Sequence, residues 1–137
     1  MRCVLMCACV LLATVGGCAD KPAKAEEGEQ PAAGKLCESK IVLELFSACK
    51  KKYPHLVLDE GLCVGSQKWA DHMAKTGRFR HDRGVKENIA KGYRSAESCM
   101  QGWFTSRGHN AQFRVNTKVG FGANLRGRVK YWVARFK

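Results

Sequence analysis

Four short motifs stand in fixed order in the second half of this chain, and they constrain its fold more than any bulk property does. His81 is followed six residues later by Glu87-Asn88-Ile89-Ala90, then by Trp103-Phe104-Thr105-Ser106-Arg107-Gly108-His109-Asn110, and fourth by the paired runs Val119-Gly120-Phe121-Gly122 and Tyr131-Trp132-Val133. A lone histidine or a glycine-bearing strand is common, whereas four such motifs in register over about 55 residues are not a matter of chance.

The motifs fall on a readable pattern of helices and strands. Ile41, Val42, Leu45, Phe46 and Cys49 recur at three- and four-residue spacing, which predicts an amphipathic helix over Glu38 to Lys52, closed by Lys50-Lys51-Lys52 and Pro54. A second helix is expected from Asp59, whose carboxylate caps the first free amides, to Gly77, with Leu62, Ser66, Trp69, Ala70 and Met73 on one side. A third starts at Ser95 and buries Cys99, Met100 and Trp103. Glu87 to Lys91, Lys118 to Leu125 and Val129 to Phe136 read as strands, the last two flanking a turn at Arg126-Gly127. Strands that are apolar on both faces imply a sheet covered on both sides.

In this order the motifs resemble those of the short bacterial members of the CAP superfamily. That superfamily, also called SCP-like, is named for cysteine-rich secretory proteins, antigen five and pathogenesis-related class one proteins. Ser66-Gln67-Lys68-Trp69-Ala70 is similar to the family's A-Q-x-W-A helix, with Ser in place of Ala. The resemblance covers Glu38 to Lys137 and implies an α+β fold, a three-layer α-β-α sandwich with a small antiparallel sheet.

The ends of the chain imply export. Met1-Arg2 and the uncharged run from Val4 to Val15 form a basic n-region and an apolar h-region too short to span a bilayer, a signal peptide over residues 1–17. Val15-Gly16-Gly17-Cys18 looks like a lipobox, which makes Cys18 the expected lipidation site; ordinary secretory cleavage giving a soluble secreted protein is the alternative. Residues 18–36 are rich in Pro, Gly and mixed charge and are expected to form a flexible tether reaching on the order of 25 Å, with the domain occupying 37–137. Cys37, Cys49, Cys63 and Cys99 are an even set in an oxidising compartment, which predicts two disulfides. Across a helix Cys37 and Cys49 stand on the order of 18 Å apart, so Cys37 pairs with Cys63 or Cys99 and Cys49 with the other.

Glu38 to Lys137 holds 20 Lys and Arg against 8 Asp and Glu, and no acidic residue follows Glu97. Eight cations do follow it, among them Arg126, Arg128 and Lys130 at the hairpin, so a basic face is expected to attract anionic lipid or acidic wall polymer. Nucleic acid is not an expected partner of an exported protein.

In the family, the histidines matching His81 and His109 line a central cleft with the glutamate matching Glu87. Two imidazoles and a carboxylate are a partial shell for a divalent cation such as Zn²⁺ with an open position, and equally a set that hydrogen-bonds a polar ligand or itself. Family members with a full cavity carry a second acidic residue where Ser106 stands, in a short loop after Trp103; with one carboxylate the site is a poorer cation trap and loses an acid–base pair. A hydrolytic set of Ser106, Glu87 and His109 lacks an orienting partner for His109 together with an oxyanion hole, so no catalytic residue is assigned. His55 and His72 are expected to be bystanders, Asn88 and Asn110 to bond neighbouring backbone, and Gly120 and Gly122 to admit close helix approach. The resulting expectation is an exported, lipid-anchored domain that binds lipid or an acidic envelope component. A metal-assisted hydrolase of peptide or wall material, and a disulfide-stabilised scaffold for another envelope protein, are the alternatives.

Overall fold

A computed structural model describes residues 33–137; the expected signal peptide, Cys18 and most of the tether lie outside the described residues. The described chain opens with a 3-10 turn, Ala33–Glu38. The elements then run α1 Lys40–Lys52, β1 Val57–Leu58, α2 Glu60–Thr76, β2 Glu87–Lys91, α3 Ala96–Thr105, α4 Arg107–Val115, β3 Lys118–Arg126 and β4 Val129–Phe136. Leu36 is already buried, so the packed region takes in one residue ahead of Cys37.

The ends of α2 follow from its sequence. Asp59 Oδ1 accepts a hydrogen bond from the Leu62 amide at 3.0 Å, and Gly77 closes the helix in the left-handed region at φ 72°. Ser95 and Ser98 form a reciprocal capping box at the start of α3.

The sheet order is β1-β3-β4-β2. β3–β4 and β4–β2 are antiparallel, as expected, but β1 joins parallel to β3 through Val57↔Lys118 and Leu58↔Val119, so the sheet is mixed. A two-residue strand carries no alternation by which its sequence could announce it. One face is covered by α2, where Ala70, Met73 and Ala74 pack with Ile89, Tyr131 and Val133. The opposite face carries Phe121, Trp132, Ala134 and Phe136 against Val42, Leu45 and Cys49 of α1, Cys99 and Trp103 of α3, and Phe113 of α4. The fold is therefore α+β in three layers.

Contact between α2 and β3 is close enough to exclude side chains. A Cβ at Gly120 would stand 2.2 Å from the Leu62 backbone, and one at Gly122 would stand 2.3 Å from the Gln67 backbone. Ser66, fully buried, uses this proximity to donate its hydroxyl to the Gly120 carbonyl at 2.8 Å. Where the helix touches a bare strand, a hydroxyl makes a hydrogen bond that alanine cannot.

The stretch from Trp103 to His109, expected to be a short loop, is instead helical on either side of Ser106. Ser106 breaks the helical path with extended backbone, φ −85° and ψ 118°, and α4 restarts at Arg107, so His109 sits in a first helical turn. The single buried side chain of α4, Phe113, stacks on Tyr53 and meets Phe136 edge-on at 5.0 Å. One apolar anchor in nine residues is too little periodicity to mark a helix.

Candidate functional site

His81 lies in the loop between α2 and β2, which Trp69 fixes from below by donating its indole N–H to the Arg80 carbonyl at 3.1 Å. Glu87 opens β2 opposite Arg135 of β4 and points to the α2 side of the sheet. Its Oε1 accepts the Asp82 amide at 2.7 Å and faces His81 Nδ1 at 3.2 Å, while Oε2 faces Arg135 Nε at 3.5 Å. Arg135 also donates to Asp82 Oδ2 at 2.6 Å. Burial holds the Glu87 carboxyl above the usual carboxylate range, and the Asp82 amide, Arg135 and His81 pull against that rise.

His109 approaches from α4, with Nδ1 2.9 Å from Ser106 Oγ. Asn88, on the face of β2 opposite Glu87, donates to the His109 carbonyl at 2.9 Å, and the Tyr53 hydroxyl donates to Asn110 Oδ1. Both asparagines were expected to bond backbone close to them in sequence; they instead reach distant elements and clamp α4 to the sheet and to the end of α1. Burial, and then the charge of neighbouring His81, hold His109 below the ordinary histidine value.

His81, Ser106 and His109 thus line one cleft of about 410 Å³, floored by Ile89, Ala90 and Trp103. Glu87 is behind the wall of this cleft, not in its lining. The hydrolytic set of Ser106, His109 and Glu87 does not assemble, because Glu87 contacts the other imidazole. Among the described residues no three His, Cys, Asp or Glu side chains are grouped to hold a metal ion. The arrangement instead pairs two imidazoles, one of them oriented by a buried carboxylate, as outer-shell carboxylates orient metal-binding histidines. His72, expected to be a bystander, stacks on Trp69 at 4.7 Å, and its Nε2 is buried without a hydrogen bond.

The basic face is smaller than the charge count implied. Lys118 pairs with Asp59 at 3.1 Å and Arg135 with Asp82 and Glu87, so acids from earlier elements offset two of the eight cations that follow Glu97. Arg126 and Arg128 are exposed at the hairpin tip beside Leu125, while Lys130 is half-buried with Nζ 4.8 Å from the Trp132 ring.

Sequence reasoning missed a larger groove, about 1120 Å³, between α1 and α3. Leu43, Ala48, Met100 and Phe104 give it an apolar lining; Lys40, Lys51 and Lys52 stand at its rim with Glu38, Glu44 and Glu97. Lys52 lies over the Phe104 ring at 4.8 Å. The available signal was Leu43, an apolar residue off the buried stripe of α1 and 48% exposed.

Each of the four cysteines Cys37, Cys49, Cys63 and Cys99 is a free thiol in this structure, where two disulfides were expected. Cys37 and Cys63 are nonetheless neighbours, the Cys37 thiol donating to Cys63 Sγ at 3.0 Å.

Comparison with known proteins agrees with this architecture. Venom allergen-like protein 4 from Schistosoma mansoni superposes with a TM-score of 0.61 at 13% identity, covering 72% of this chain and 88% of that one. An outer surface protein from Borrelia burgdorferi superposes with a TM-score of 0.54 at 14% identity, covering 76% and 86%. No curated protein sequence matches the chain. The profile of CAP, the cysteine-rich secretory protein family, matches residues 50–136. That stretch contains the cleft histidines, the Glu87 strand and the glycines under α2, and the chain belongs to the CAP family.

Proposed function

We propose that this CAP domain works outside the cytoplasm, held at the cell envelope by an acylated Cys18, and binds an amphiphile with an acyl chain and an anionic head. The observation that carries the reading is the groove between α1 and α3. Its apolar lining of Leu43, Ala48, Met100 and Phe104 offers a surface for an acyl chain, and ligand pockets are mostly apolar with a few polar groups that fix orientation. Lys40, Lys51 and Lys52 share the rim with Glu38, Glu44 and Glu97, and Lys52, held over Phe104, is the cation offered to an anionic head. The excess of basic residues on the domain favours approach to anionic lipid or acidic wall polymer. The structural likeness to an outer surface protein supports the envelope location.

Displacement of a fluorescent fatty acid from the purified protein tests the groove. Ser47 is exposed and lines it, so Ser47→Trp obstructs the groove without disturbing the core. Binding is expected in the wild type and a loss of tenfold or more, on the order of 1.4 kcal/mol, in the variant. Absence of wild-type binding, or equal binding by both, rejects the groove as the site.

A second reading, metal-assisted hydrolysis of peptide or wall material, draws support from the two imidazoles in the smaller cleft. A divalent ion there would be held by His81 and His109, with Glu87 orienting His81, and would supply Lewis acidity.

A further inference from the structure

We propose that Cys37 and Cys63 form an oxidation-ready pair that closes the one disulfide of the domain, while Cys49 and Cys99 remain buried thiols. The Cys37 and Cys63 sulfurs are 3.0 Å apart, closer than the roughly 3.5–4 Å at which even non-bonded carbon atoms rest. A disulfide requires an approach of only about 1 Å more. The backbone that presents Cys37 is fixed from the other side, because the Glu60 carboxylate accepts the Leu36 amide at 3.3 Å and the Cys37 amide at 3.1 Å. Glu60 and Cys63 belong to the same first turn of α2, so one helix end holds both the backbone and the sulfur of its partner.

Cys49 and Cys99 have no such arrangement. Both are wholly buried among apolar side chains, and the contact of Cys37 with Cys63 is the only sulfur–sulfur hydrogen bond among the described residues. Burial raises the thiols of Cys49 and Cys99, and those of Cys37 and Cys63 as well, so it is the sulfur–sulfur geometry and not acidity that sets the two pairs apart.

Exchange with the disulfide of a thiol oxidoreductase or a small disulfide such as oxidised glutathione closes the bond. Cys37, the half-buried member, loses its proton and attacks one sulfur of the carrier, forming a mixed disulfide and releasing the other half as a thiolate. Cys63 then loses its proton and attacks the Cys37 sulfur, expelling the second carrier thiolate. Two electrons pass to the carrier, whose two thiolates take up the two protons. The bridge ties the 3-10 turn to α2, across a separation of 26 residues, at the point where the N-terminal segment meets the domain.

The test uses the full exported protein, purified without reductant and treated with oxidised glutathione, so that the result does not depend on the compartment it came from. Denaturation, alkylation and trypsin digestion place the four cysteines in separate peptides, Leu36–Lys40, Ile41–Lys50, Tyr53–Lys68 and Ser95–Arg107. The first and third are expected to be found cross-linked, with the other two each carrying one alkyl group. Any link through Cys49 or Cys99, or four alkylated cysteines, overturns the proposal. Cys37→Ser, a change at the half-buried member, should expose Cys63 to alkylation and lower Tm by roughly 5 °C or more relative to the oxidised wild type. A Cys37→Ser protein that melts with the oxidised wild type contradicts the clasp.

Discussion

The Glu87 carboxylate and the His81 imidazole meet at 3.2 Å, with the carboxylate side chain wholly buried and the imidazole 60% exposed. One partner is therefore structural and the other available to a ligand. Because Glu87 also holds the Asp82 amide and faces Arg135, it joins Trp69 and the Arg135–Asp82 pair in fixing the loop that carries His81. Glu87→Ala leaves the Arg135 guanidinium, 14% exposed, short of a carboxylate. A loss of about 3 kcal/mol is expected in urea unfolding; a loss under about 1 kcal/mol would show that Asp82 alone satisfies Arg135.

Two perturbed groups, His109 in the cleft and Glu87 behind its wall, act in opposite directions with pH. His109 is held below its ordinary value, so the unfolded chain binds its proton first, and stability falls as pH drops from about 6.5 through the lowered folded value. Glu87 is held above its ordinary value, so its ionisation costs stability as pH rises from about 4.3 through the folded value. His109→Gln should therefore flatten the melting temperature between pH 7.5 and 5.5. A variant that keeps the wild-type slope there assigns the slope to another histidine.

Gly120 and Gly122 leave no room for a methyl group, since the nearest atoms are α2 backbone that cannot rotate away. Gly120→Ala and Gly122→Ala should each destabilise the domain by about 3 kcal/mol, or prevent folding, as overpacking forces the helix off the strand. Ser66→Ala, which removes only the bond to the Gly120 carbonyl, should cost about 1 kcal/mol. Equal costs for Gly120→Ala and Ser66→Ala in chemical denaturation would contradict the close approach.

Much of this was legible because the informative residues repeat a physical pattern. The Asp59 cap, the Gly77 terminus, the apolar face of α1 and the two long strands each carry a local signal, and all stand where the sequence puts them. The close helix approach at Gly120 and Gly122 was legible for the same reason. What escaped depends on contacts distant in sequence. β1 is strand only because Lys118 and Val119 lie beside it, and α4, with Phe113 as its one buried side chain, is clamped by Asn88 and Tyr53 from distant elements. The partition of the site was equally hidden: the family resemblance placed His81, Glu87 and His109 in one cleft, but strand parity and the Arg135 partner put Glu87 behind the cleft wall.

A divalent ion in the cleft should need both imidazoles. His81→Ala and His109→Ala are each expected to abolish Zn²⁺ binding measured by calorimetry, and binding should weaken as pH falls because a protonated imidazole cannot coordinate. Binding that survives both substitutions places the ion elsewhere.

The basic hairpin gives the sharpest test of envelope recognition, because the structure separates its free charges from the paired ones. Arg126 and Arg128 are exposed at the tip, with Leu125, 55% exposed, beside them. Lys118 and Arg135, from the same two strands, are committed to Asp59, Asp82 and Glu87. The protein without its anchor should bind anionic vesicles at low salt and zwitterionic vesicles much less, with binding falling as salt rises and screening shortens the reach of each charge. Replacing Arg126, Arg128 and Lys130 by Gln should weaken that binding by tenfold or more, at about 1 kcal/mol per charge near an anionic surface. The same triple change should cost little stability, apart from the packing of Lys130 over Trp132. Lys118→Gln is the control, since it removes one positive charge of the same β-hairpin but one already neutralised by Asp59. If Lys118→Gln weakens vesicle binding as much as Arg128→Gln does, net charge alone governs the attraction and the hairpin tip is not a recognition surface.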